Sequence, residues 1–199
     1  MTPTPLFTVD VMTALRQPDN SLLIPEKLSA RWVAANPEYL IALVAEHQRS
    51  WSYFRPLVRL LKQWRLDAPV EGRIKSLVME VLALQCLPKV GNRSQGLKTF
   101  FTAAATRVNE GVWDPAGLCG EIQPDLDRQG LSAAFAKAAD LADQACAAAA
   151  EGGTDEALRL WQEIFGEDFP APATAPKSTS LIGAPALITP RPIKDAPQG

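Results

Sequence analysis

Histidine is all but missing: His47 is the only one among 199 residues. No serine or cysteine partner is recognisable near it, so hydrolases built on a Ser-His-Asp or Cys-His arrangement are set aside. His47 stands in line with Leu40 and Leu43 at helical spacing and reads as a partly buried structural side chain. Cysteine is scarce too. Cys86, Cys119 and Cys146 are odd in number, far apart and without metal-ligand spacing. They fit a reducing compartment in which thiols act as small apolar groups. A basic excess is also lacking. The net charge of -2 and pI near 5.5 argue against a dedicated nucleic-acid or membrane-surface binder. No apolar run approaches the roughly 20 residues that span a bilayer. Met1-Thr2-Pro3-Thr4-Pro5 has neither a charged n-region nor an apolar h-region, so no signal peptide is expected. The cytoplasm is the expected location.

What is present is enough hydrophobic chain, 47% of residues, for one good core. Phe7, Val9 and Val11 alternate with Thr8, Asp10 and Met12, which predicts a half-buried strand. Gln17-Pro18-Asp19-Asn20-Ser21 is turn chemistry, and Leu22-Leu23-Ile24 offers a partner strand ending at Pro25. A hairpin alone cannot cover its apolar face and wants a larger sheet. Nothing downstream reads as one. From Asn36-Pro37 the period becomes helical, with Asn36 as N-cap and Pro37 at the first helical position. Further helices are expected around Pro56, with the stripe Leu57, Leu60, Leu61 and Trp64, and from Arg73 to Leu87. Others follow through Leu97 to Val108, from Leu131 to Ala150, and from a Thr154 cap through Leu158, Trp161 and Phe165. The stretch between Gly111 and Leu131 reads as turn and irregular loop. The five tryptophans read as packing residues. After residue 169 prolines recur and aromatics stop. The expected fold class is mainly α: a helical bundle (31–169) preceded by a short β-hairpin (1–30) and followed by a disordered Pro-rich tail (170–199).

Three residues stand out for chemistry. Arg55, Arg59 and Lys62 fall at i, i+4 and i+7, giving one basic face opposite the Leu57 stripe. Ser76 and Glu80 lie off the apolar face of the next helix. A lysine and a hydroxyl facing each other across two packed helices form a simple phosphate grip. Asp10 is a strand carboxylate between two valines, costly unless solvated or holding a cation. Mg²⁺ sites for phosphoryl transfer gather several such carboxylates, and here there is one. Asp125-Leu126-Asp127, after Pro124 and before the alanine-rich helix, reads as helix capping.

These segments together resemble a known family. Phe7-Thr8-Val9-Asp10-Val11-Met12-Thr13-Ala14-Leu15 resembles the strand bearing the third catalytic aspartate of the cyclic GMP-AMP synthase and oligoadenylate synthase-like nucleotidyltransferases. The bacterial branch is called the CD-NTases. Leu57-Val58-Arg59-Leu60-Leu61-Lys62-Gln63-Trp64 resembles their helix ending in Lys-x-Trp. Lys75-Ser76-Leu77-Val78-Met79-Glu80 is similar to the Ser-x-x-x-Glu helix that follows. Val112 to Gly117 and Ala157 to Pro170 resemble the close of the helical domain. The resemblance implies that Asp10 is a Mg²⁺ carboxylate and that Lys62 and Ser76 contact ATP or another nucleoside triphosphate. Glu80 is read as structural. It implies synthesis of cyclic oligonucleotides that activate an effector in antiphage defence. The family's Gly-Ser motif and first two aspartates should lie upstream of Asp10, where nine residues offer no match. The chain alone is therefore expected to be inactive: either it is a truncated or mis-started reading frame, or a second polypeptide, an upstream nucleotidyltransferase half, supplies the remainder. The tail ending at Gly199 resembles a substrate for a ubiquitin-transfer-like conjugating partner. The alternative reading is a non-catalytic helical module that binds a regulatory partner.

Overall fold

A computed structural model describes residues 11, 13–25, 31–167 and 169–170. Asp10, most of the first expected strand, and the tail with Gly199 lie outside the described residues. The strand β1 is Leu15–Arg16, β2 is Leu22–Pro25, and they pair antiparallel with Leu15 opposite Leu23. The turn between them closes as its residues predict. Asp19 accepts from both the Ser21 N–H (3.0 Å) and the Ser21 hydroxyl (2.7 Å). Asn20 takes φ 65°, a left-handed conformation asparagine tolerates. The expectation of no further strand fails. β3, Trp32–Ala35, adds to the other edge of β2 in antiparallel register from Leu22–Ala35 to Pro25–Trp32. Four residues with no clear alternation are too short a signal to separate from a helix start.

Helix α1 (Pro37–Ser50) begins as predicted, with the Asn36 side chain accepting from the Tyr39 N–H at 3.0 Å. None of its residues is fully buried, and Tyr39 and Ile41 are exposed. His47 is half-buried, its Nδ1 3.0 Å from the Leu43 carbonyl and its ring against Phe54. Helix α2 (Phe54–Asp67) buries Leu57, Leu61 and Trp64, with Leu60 partly covered. Helix α3 (Ser76–Cys86) is the central one. Val78, Met79, Val81, Leu82 and Ala83 are all 0% exposed, so it is buried on several sides rather than along one stripe, while Gln85 is exposed. It also begins later than the Arg73 expected.

Helix α4 (Arg93–Arg107) is capped by Asn92 and runs into a short 3-10 turn, Val108–Glu110. The long helix α5 (Arg128–Ala150) lies between α4 and α6. Ala134, Ala138, Ala142 and Ala145 form its buried line, the small side chains permitting close approach. Helix α6 (Thr154–Phe165) is preceded by Gly153 with no side-chain cap, so Thr154 does not cap it. Its stripe shifts to Ala157, Leu160, Trp161, Ile164 and Phe165, leaving Leu158 only partly covered. Trp51, Trp64 and Trp161 are core residues, whereas Trp32 and Trp113 are exposed. Among the described residues, no helix is long and apolar enough to cross a membrane.

One glycine fixes how α4 meets the start of α2. Trp51 donates its indole N–H to the Gly91 carbonyl (2.9 Å) and lays its ring over Gly96. A Cβ at Gly96 would fall 2.4 Å from Trp51 Cη2 and 3.2 Å from Leu57 Cδ1. Overpacking costs about 1–3 kcal/mol, whereas alanine gains only about 1 kcal/mol in helix propensity over glycine. Gly96→Ala is therefore expected to lower the urea midpoint of unfolding. An unchanged or raised midpoint would show that the Trp51 ring moves aside freely.

Candidate functional site

The helices α2 and α3 pack side by side and bring two of the sequence-selected residues to one seam. Lys62, from the outer side of α2, places Nζ 2.5 Å from Glu80 Oε1 on α3. Glu80 lies four residues beyond Ser76, hence on the same helical face. Lys62 therefore reaches the face of α3 that begins with Ser76, but the group it binds is the Glu80 carboxylate. Both side chains are partly covered, 35% exposed for Lys62 and 25% for Glu80. Arg55 and Arg59 on the same side of α2 are exposed.

The starts of the helices fall into two groups: α1, α4 and α5 carry a side-chain cap, and α2, α3 and α6 do not. Asn36, Asn92 and Asp127 each accept a backbone N–H at their helix starts. Lys75 occupies the corresponding position of α3 and supplies no acceptor. Its ammonium instead donates to the Ile122 carbonyl at 3.0 Å. The first N–H groups of α3 thus have no side-chain cap, and the residue at the cap position is itself a cation. That arrangement opposes the helix dipole unless an anion is also present.

A cleft of about 450 Å³ opens there, walled by Arg65, Arg73, Lys75, Ser76, Glu71 and Asp125, with Gly72 and Gln123. Three cations face two carboxylates. Arg65 donates from Nη1 to the Ile74 carbonyl at 2.8 Å, while its buried Nε has no partner among the described residues. Lys62 is not in this wall. The arrangement can hold an anion through cations, a hydroxyl and open helix N–H groups. It contains no nucleophile paired with a base.

The segment between Gly111 and α5 is turn and irregular loop, as expected, and its own hydrogen bonds tie it into a strap over this region. Trp113 bridges to Glu121, and the Ile122 N–H donates to the Val112 carbonyl at 2.8 Å. Asp114 ties the turn, accepting from the N–H groups of Ala116 (3.0 Å), Leu118 (2.9 Å) and Cys119 (3.2 Å). Partial burial pushes the Asp114 carboxyl up, but these backbone donors outweigh it and hold it below its usual value. Cys119 is exposed rather than acting as a small core residue. Its thiol is pushed up by partial burial and by the neighbouring Asp114. Asp127 caps α5 as the sequence suggests, accepting from the Gly130 N–H at 2.9 Å.

Gln123 and Arg65 escaped sequence reading. Each works through a backbone group far along the chain or across a turn, and neither belongs to a recognisable motif. Asp10 lies outside the described residues. Among the described residues, no group of three or more His, Cys, Asp or Glu side chains comes together to hold a metal. The described residues therefore do not by themselves fit a Mg²⁺ site.

No family model matches the chain. A cyclic AMP-AMP-AMP synthase from an Acinetobacter species is 24% identical over 192 residues, covering 90% of this chain and 56% of that protein. Escherichia coli MS115-1 CdnC, solved with ATP, superposes with a TM-score of 0.59 at 19% identity, over 78% of this chain and 57% of that one. Vibrio cholerae DncV cyclic AMP-GMP synthase, solved with a linear intermediate, gives 0.56 at 18% identity, over 77% and 42%. Escherichia coli DncV with 3′-deoxy GTP gives 0.54 at 20% identity, over 74% and 42%. The chain thus spans about half the length of the relatives it matches. Six helices behind a small antiparallel sheet among the described residues, and these superpositions, lead to one conclusion: the chain carries a CD-NTase-like fold.

Proposed function

We propose that the chain is the helical part of a bacterial cyclic-oligonucleotide synthase, and that the mouth of α3 grips the triphosphate of a nucleotide substrate. The observation that carries this reading is the uncapped start of α3, where Ser76 opens onto a cleft with Arg65, Arg73 and Lys75. Ser76 donates its hydroxyl to a phosphate oxygen, the open N–H groups add to it, and the cations balance the charge. Lys62 joins the grip by leaving Glu80 for the phosphate. The solved neighbours held with ATP or other nucleotides support a nucleotide as the ligand. Asp10 would contribute one oxygen donor to Mg²⁺. Among the described residues the carboxylates gather no cluster, so no chemical step is assigned to this chain. The remaining carboxylates and the Gly-Ser motif would belong to the part of such a synthase that the chain does not span, since it covers about half the length of these relatives. The same reading places the product in antiphage defence, the protein in the cytoplasm, and a ubiquitin-transfer-like partner at Gly199.

A second reading has one observation in its favour. Lys62 is already paired with Glu80, which suits a non-catalytic helical module as well as a resting grip.

The test is a titration of the isotope-labelled full chain with ATP, followed by amide NMR. A half-site binds weakly, in the range of about 1 mM or above. Shifts are expected at Arg73 to Val78 and to be lost in Ser76→Ala, with no oligonucleotide product from ATP, GTP and Mg²⁺. Absence of shifts at 10-fold that concentration, or shifts confined to other helices, would sink the reading. Oligonucleotide product from the chain alone would overturn its half-enzyme part.

A further inference from the structure

We propose that Gln123 is a positioning residue for the α3 grip, setting where the helix starts and thereby presenting Ser76 to the ligand. The inference rests on the nucleotide reading above. Gln123 is only 6% exposed. Its Oε1 accepts from the Lys75 N–H at 2.9 Å, and its Nε2 donates to the Arg73 carbonyl at 2.9 Å. One primary amide thus pairs with the N–H and C=O of two residues separated by one, as a neighbouring strand would. Reversing the amide would set donor against donor, so the orientation is fixed by its partners. Between them, the Ile74 carbonyl takes the Arg65 bond and its side chain is buried at 3% exposure. Lys75 accordingly sits in an extended conformation, φ -65° and ψ 140°.

The consequence for the helix is direct. Periodicity alone carries α3 back to Arg73, and in such a helix the Arg73 carbonyl would accept from the Leu77 N–H. Gln123 occupies that carbonyl, so the helix begins at Ser76. The open N–H groups and the Ser76 hydroxyl then lie at the cleft rather than inside a longer helix. Asn, one methylene shorter, cannot span both partners, and Glu cannot donate to the Arg73 carbonyl.

The experiment compares the full chain with Gln123→Met, which keeps the side chain's length and removes both bonds. The probes are ATP and the backbone chemical shifts of residues 73–76. The variant is expected to move Arg73 to Lys75 towards helical shifts and to reduce the slope of ATP-induced shifts about 10-fold. Amide exchange in α5 should stay as in the parent. Ser76→Ala combined with Gln123→Met should respond to ATP no more weakly than the weaker single variant, because both act at one contact. If Gln123→Met does not fold, Gln123→Asn takes its place with the same expectations. An unchanged ATP response would overturn the inference while leaving the nucleotide reading standing. So would multiplicative losses accompanied by lowered protection throughout α4 and α5, which mark a general structural role. A parent chain without any ATP response at α3 would instead remove the nucleotide reading, and this inference with it.

Discussion

Phe135→Ala is expected to destabilise the protein by about 3–5 kcal/mol, the range for removing a fully buried aromatic ring. Phe135 is 0% exposed and stands where three helices meet. Trp64 of α2 stacks on it with centroids 5.1 Å apart and an interplanar angle of 17°. Phe100 of α4 meets it edge-on at 5.7 Å, and Phe101 lies at 6.3 Å. Each such pair contributes about 0.5–1.5 kcal/mol beyond area burial. The void cannot close easily, because the neighbours on α5 at Ala134 and Ala138 are already small and already close to other helices. With a urea slope of about 2 kcal/mol per M, the midpoint should fall by about 2 M. The near-ultraviolet circular dichroism should lose the Trp64 contribution in the folded state. Leu158→Ala, at a partly covered position of α6, serves as the comparison and should move the midpoint far less. Similar shifts for both variants would mean that the aromatic junction is not the centre of the core. The junction matters for the site as well, since Trp64 follows Lys62 by two residues on α2.

The helical body was readable because its signals are local. Asn36 and Asp127 cap through bonds to residues three further on, and Leu57, Leu61 and Trp64 bury as their spacing requires. Residues whose roles depend on distant partners were not readable. Gln123 reaches back 48 and 50 residues, and Lys75 Nζ reaches forward 47. No periodicity encodes such a bond, so α3 read as starting three residues early and the strap's ties to it went unread. The short β3 was missed for the opposite reason: its four residues pair only because β2 is already in place. For the site, helical spacing placed Lys62 and Ser76 on facing surfaces. It did not reveal that Glu80 would hold Lys62.

That ion pair gives the second large expectation, a split between its two members. Lys62→Ala removes a cation from the seam and leaves the Glu80 carboxylate, three-quarters covered, without its partner. Lost charge-assisted hydrogen bonds to phosphate amount to about 1.5–3 kcal/mol, and about 1.4 kcal/mol is tenfold in affinity. The slope of ATP-induced shifts should therefore fall at least about tenfold. Glu80→Gln acts in the other direction. It keeps the shape and hydrogen-bonding capacity of the side chain while removing the negative charge that competes with phosphate for Lys62. Its ATP response should rise above the parent's, and the gain should vanish in the double variant with Lys62→Ala. The rise should also shrink as salt is added, because both groups are partly exposed to solvent and its ions. A pair that merely braces α2 against α3 predicts something different: both single variants would lower stability and leave the ATP response equal. The non-catalytic module predicts that pattern. Opposite signs for Lys62→Ala and Glu80→Gln, both exerted through one ammonium, would show instead that Glu80 holds Lys62 in a resting position from which the triphosphate takes it.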